Sequence, residues 1–145
     1  MAEFIFKDMV NEAGLSDRFV IASAATSSEE VWNGVGNPVY PPAREELARH
    51  GLSSAGKRAV QLRKEDYEAY DYILGMEHRN IRGIHRIIGS DPKNKVHMLL
   101  DYTGNPRDIA DPWYTGNFGK TYDDILEGCE GFLAWLRANE QEIIH

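Results

Sequence analysis

Three short apolar runs, separated by segments with helical periodicity, restrict this chain more than any other feature. They are RFVIASA at 18–24, YILGM at 72–76 and KVHMLL at 95–100. Each has the length of one strand and is apolar throughout rather than at every second position. Strands of that kind are buried on both faces, as in a parallel sheet covered by helices. The segments between them read as helices. Phe4, Ile5, Met9 and Val10 recur at helical spacing, with Gly14 placed to end the helix in a left-handed cap. Pro42 suits a first helical position, and that run stops at Gly51. A short helix is expected over 64–70, a helix with Ile81, Ile84 and Ile88 on one face over 80–88, and a long terminal helix over 123–144. The stretches 25–41 and 101–120 read as loops. Strands alternating with helices specify an α/β fold, a parallel sheet flanked by helices in three layers. With no linker, repeat or low-complexity segment, residues 1–145 are expected to form one domain.

Two features of this plan stand out. Ligands in such folds sit at the carboxyl ends of strands, where a turn leads into a helix. Here the first helix has no strand in front of it, so the position where a phosphate would meet a helix N-terminus coincides with Met1. Three strands also make a small sheet.

Composition excludes several classes of function. A net charge of −7 opposes nonspecific binding to nucleic acid or to an anionic membrane, and the basic cluster Lys57-Arg58 and Arg63-Lys64 is too small to reverse that. No apolar run approaches the roughly 20 residues of a membrane span. Met1-Ala2-Glu3 lacks the basic region of a signal peptide. A lone cysteine cannot form an internal disulfide and fits a reducing, cytoplasmic setting. The histidines His50, His78, His85, His97 and His145 show no ligand spacing, so neither a metal nor a cofactor is expected. Gly34 to Val39 lacks the third glycine of a dinucleotide fingerprint.

The candidate chemistry is concentrated at Asp111-Pro112-Trp113-Tyr114. An aspartate before proline is common simply as a turn former. Beside two aromatic rings in a long polar loop, it also suits a general acid for an aromatic leaving group. Trp113 and Tyr114 are either loop anchors or the rim of a slot for a flat substrate. Ser23 ends the first apolar run, where a serine often only satisfies the backbone. Trp32 is either a loop residue or a substrate-selecting aromatic. Glu77 and Asn80 read as helix-start residues. Cys129 falls on the apolar stripe of the terminal helix, where a small buried hydrophobe is the natural reading.

Taken in order, these segments resemble the low-molecular-weight protein-tyrosine phosphatases. The opening MAEFIFKDMV is similar to the helix that follows that family's phosphate loop. Ser23-Ala24-Ala25-Thr26-Ser27, Gly36-Asn37-Pro38, Arg49-His50-Gly51, Lys64-Glu65-Asp66-Tyr67, Asp71-Tyr72-Ile73-Leu74 with Met76 and Asn80 beyond, and Leu99-Leu100-Asp101-Tyr102 are similar to consecutive family blocks. Asp111-Pro112-Trp113-Tyr114 resembles the family's acid loop. The likeness implies hydrolysis of phosphotyrosine in proteins, or of small aryl phosphates, without a metal. A thiolate attacks phosphorus, backbone amides and an arginine hold the phosphoryl oxygens, and an aspartate protonates the leaving phenolate. It implies Asp111 as that acid, Trp113, Tyr114 and Trp32 as substrate contacts, and Ser23 as a brace for the phosphate loop.

The departures from the family are specific. The first strand and the cysteine-to-arginine loop would lie before Met1. The sixth residue after Cys129 is Trp135, not arginine. Lys57 stands where the family usually has histidine, Glu77 stands for an aspartate, and an insertion over 28–33 makes Trp32 an approximate match. The expectation is a phosphatase domain lacking its first strand and its nucleophile, inactive as written, with strand edges open to self-association. The alternative is a catalytically silent binding module on the same fold. An arsenate reductase is excluded, because it needs several cysteines to relay electrons.

Overall fold

The computed structural model describes residues 1–26, 31–32, 35–36, 39–54, 56–57 and 60–140, with only the backbone described at 31–32, 35–36 and 113. Helix α1 spans Ala2–Glu12 and buries Ile5, Phe6 and Val10. It closes as its sequence predicts: Gly14 adopts φ +74° and the Leu15 amide returns to the Val10 carbonyl at 2.8 Å. The segment after it departs from expectation. Residues 18–24 were expected to be a buried strand, but Ser16–Arg18 form a 3₁₀ turn and 19–24 have no regular structure. Val20 is 83% exposed, while Phe19 and Ile21 pack on the core. An apolar run becomes a strand only where a neighbour completes its backbone ladder. Among the described residues this segment finds one only at Ala25, bridged to Gln61 through Ala25 N–H to Val60 O at 2.7 Å and Leu62 N–H to Ala25 O at 2.8 Å. The expected loop over 25–41 also contains a short antiparallel pair, β1 (Val31–Trp32) and β2 (Val35–Gly36).

Helix α2 spans Pro41–Arg49, with both prolines in its first turn, where their missing N–H groups cost nothing. A one-turn helix, α3, spans Asp66–Ala69. Strand β3 (Ile73–Gly75) pairs in parallel with β4 (Val96–Met98) across helix α4 (His78–Ile88). Side chains along β3 alternate between two cores, as a strand requires. Tyr72, Leu74 and Met76 pack on one cluster with Ile5, Phe6, Leu100 and Phe132; Ile73 and Val96 pack on another with Leu62, Tyr67, Ile84 and Ile88. Helices therefore cover both faces, and the fold is α/β as expected. Helix α4 begins two residues before the sequence estimate because Glu77 is its cap: the Asn80 side chain accepts from the Glu77 amide at 3.1 Å in a capping box.

The terminal helix, α6, spans Phe118–Asn139 and starts five residues before the expected position. Asn117 caps it, accepting from the Lys120 amide at 3.0 Å. Its glycines set how closely it lies on the 3₁₀ turn Leu99–Tyr102. A Cβ at Gly131 would sit 2.5 Å from the Tyr102 carbonyl oxygen, and one at Gly128 would sit 2.6 Å from Leu99 Cγ. Each glycine costs a helix roughly 1 kcal/mol relative to alanine, and here that cost permits the contact.

Candidate functional site

The loop carrying Asp111 is pinned residue by residue before it turns outward. Arg107 donates to Asp124 at 2.9 Å and to Glu127 at 3.0 Å, tying the loop to α6. Asp108 accepts from the His78 ring at 2.6 Å and from the His78 amide at 3.3 Å, tying it to the first turn of α4. The Ile109 side chain is 1% exposed and its amide bonds to the Met76 carbonyl at 2.9 Å, just past the carboxyl end of β3. The Ala110 carbonyl accepts from the Thr121 hydroxyl at 3.0 Å. Four consecutive residues thus anchor to three elements.

Beyond that anchor the chain forms one helical turn, α5 (Pro112–Thr115). The Asp111 carbonyl accepts from the amides of Tyr114 at 3.1 Å and Thr115 at 3.3 Å, and Gly116, with φ +73°, closes the turn on Pro112. The Asp111 carboxylate is partly exposed and lies 3.4 Å from the Arg79 guanidinium. That guanidinium also bonds Glu77 at 3.0 Å and lies 5.3 Å from the centroid of the exposed Tyr114 ring. The loop therefore presents a carboxylate and a phenol ring together, with Arg79 between them. Nothing in the sequence reading singled out Arg79; its only signal was its place three residues after Met76. Trp113 lies on the same turn, and its side chain is outside the described residues, as is that of Trp32 on β1.

Ser23 belongs to a different cluster. Its hydroxyl donates at 2.9 Å to Glu3, in the first turn of α1. The Glu3 side chain is only 3% exposed and also receives Lys57 at 2.7 Å and Lys7 at 3.1 Å. Burial alone would raise its pKa, but the donors Lys57, Lys7 and Ser23 more than reverse this and hold it below the ordinary value. Lys57, which departs from the family's histidine, thus has a defined partner. Glu3 was missed in the sequence, although its helical register with Phe6 and Val10 already placed it on the buried stripe.

Cys129 is 1% exposed on α6, and burial pushes its thiol up to about 12. A thiol held that far from ionisation is not a nucleophile near neutral pH. Two open grooves, about 450 and 560 Å³, run along α1, and their linings include none of the residues of the acid loop. Among the described residues, no helix is long and apolar enough to cross a membrane.

An α/β domain that presents an acid and an aromatic ring beyond the carboxyl end of a parallel strand has the layout of a ligand-processing fold. The family model described as low molecular weight phosphotyrosine protein phosphatase matches residues 1–142. The chain is 34% identical over 143 residues to the low molecular weight protein-tyrosine-phosphatase YfkJ of Bacillus subtilis, covering 97% of this chain and 89% of that protein. It is 36% identical to the low molecular weight phosphotyrosine protein phosphatase of Sus scrofa, covering 94% of this chain and 87% of the relative. The crystal structure of YfkJ from Bacillus subtilis superposes with a TM-score of 0.87 at 33% identity, covering 94% of this chain and 85% of that one. The chain belongs to the low molecular weight phosphotyrosine protein phosphatase family.

Proposed function

We propose that these 145 residues supply the leaving-group side of a phosphotyrosine phosphatase site. In the first step a thiolate forms a bond to phosphorus as the bond to the phenolic oxygen breaks, and Asp111 gives its proton to that oxygen. In the second step water attacks phosphorus, Asp111 takes the proton back, and the phosphorus–sulfur bond breaks to release phosphate. Trp113, Tyr114 and Trp32 form the rim that grips the phenyl ring, and Ser23 acts from behind the site through Glu3. The observation that supports this reading is the acid loop: every residue from Arg107 to Ala110 is tied down, so Asp111 is presented at a fixed place beside Tyr114.

The chain holds no cysteine-to-arginine phosphate loop, and Cys129 is buried. We therefore assign the nucleophile and its arginine to sequence outside residues 1–145, and read those residues as the remainder of one domain that works in the cytoplasm on phosphotyrosine proteins. Turnover of p-nitrophenyl phosphate by the 145-residue polypeptide is expected to be absent. Activity that disappears on Asp111→Ala would overturn the assignment of the nucleophile. The upstream codons give a second test: an in-frame stop with no cysteine-to-arginine loop would leave the silent binding module as the function.

A further inference from the structure

Helix α4 carries a second feature that its role in the fold does not use. Arg79, Arg82 and Arg86 are all exposed and fall within about 60° of one another at 100° per residue. The buried residues Ile84 and Ile88 lie on the opposite side of the helix. Arg79 is engaged by Glu77 and Asp111. Arg82 and Arg86 have no hydrogen-bond or ion-pair partner among the described residues. Beside this row, the His78 ring meets Asp108 at 2.6 Å, and the His85 ring meets the Gly89 carbonyl at 3.3 Å. Two unpaired guanidinium groups thus stand side by side on one flank of a protein of net charge −7, and the row starts at the loop carrying Asp111.

We propose that this arginine face is a docking track for acidic residues flanking the phosphotyrosine of a protein substrate, an inference that rests on the phosphatase reading above. Three observations select that occupant. The row is continuous with Asp111 and Tyr114 through Arg79. Its length, seven residues at 1.5 Å each, is about 10 Å, the span of roughly three residues of extended peptide. The net charge of −7 opposes an acidic peptide at long range, so its binding depends on local positive charge such as this row. Three arginines are too few for a nucleic acid, whose binding needs a broader basic surface.

Fluorescence anisotropy on the 145-residue chain tests the track with four labelled peptides: phosphotyrosine flanked by glutamates, the same peptide with glutamines, and the unphosphorylated form of each. The glutamate peptides are expected to bind about three- to tenfold more tightly than the glutamine peptides at low salt, with the difference shrinking at high salt. Arg82→Glu with Arg86→Glu should abolish that preference while leaving the circular dichroism spectrum unchanged; Arg82→Lys with Arg86→Lys should keep most of it. Equal binding of glutamate and glutamine peptides, or a preference that survives the double glutamate variant, overturns the track. So does equally tight binding of heparin, which would show a nonspecific polyanion surface. Dependence on the phosphate is read separately: a glutamate preference with no phosphate dependence supports the track and agrees with a phosphate loop outside residues 1–145, while the phosphotyrosine reading is tested apart, by the upstream codons.

Discussion

Lys57 reaches across 54 positions of sequence to place its ammonium 2.7 Å from the carboxylate of Glu3. Glu3 is 3% exposed and Lys57 23%, so the pair is largely withdrawn from water and its loss is expensive. Lys57→Met is expected to destabilise the fold by about 2 kcal/mol. That is less than for a fully isolated pair, because Lys7 and Ser23 still donate to Glu3. Urea denaturation of both chains measures this.

The same carboxylate sets an acid limit. Its folded pKa lies below the 4.5 of a free glutamate, so its contribution is complete above about pH 4.5 and is lost as pH falls through the lowered value. Glu3→Gln should therefore be less stable at neutral pH and flatter in its stability below about pH 4.5. Parallel acid-limb slopes for the two chains in chemical denaturation would show that Glu3 does not carry that dependence.

The contact between α6 and the turn Leu99–Tyr102 is expected to be intolerant of bulk. Gly131→Ala would push a methyl group within 2.5 Å of the Tyr102 carbonyl oxygen, which cannot move without the turn. A loss of about 1–3 kcal/mol is expected, despite alanine's better helix propensity. A rise in Tm would show that the helix can shift freely. Gly119, where a Cβ would meet only Glu46 at 3.7 Å and Asn117 at 3.9 Å, is the control position.

Arg107 is expected to govern how firmly Asp111 is presented. Arg107→Ala removes bonds to Asp124 and Glu127, leaving Asp124 with Lys120 at 2.9 Å. The global cost should be about 1–2 kcal/mol. The local effect should be larger, seen as faster hydrogen exchange at the Ile109 amide, which bonds the Met76 carbonyl. Unchanged exchange at Ile109 would mean that the loop is held by its apolar anchor alone.

Strands β3 and β4 each have one outer edge without a ladder partner among the described residues. Open edges recruit other chains. Sedimentation at rising concentration is expected to show association, and a monodisperse monomer with a cooperative melt at high temperature would contradict it.

The helices were legible because they depend on neighbours in sequence. Pro42 and Gly51 bounded α2, Gly14 closed α1, and Ile81, Ile84 and Ile88 gave the face of α4. Glu77, read as a helix-start residue, caps α4, whose first turn was nonetheless placed two residues late, and the cap of α6, Asn117, was overlooked. The segment 18–24 failed for a different reason. Its composition is that of a strand, but a strand depends on its partner, and the ladder reaches it only at Ala25.

The sequence by itself determined the family and the main helical segments, and it shows that residues 1–145 hold no cysteine-to-arginine loop, since each is written in residue order and type. Only the tertiary structure decided that Lys57 and Ser23 converge on Glu3 and that Arg79 stands between Asp111 and Tyr114. Those relations join residues far apart in the chain. Electrostatics and burial act through distance in space, which residue order does not record.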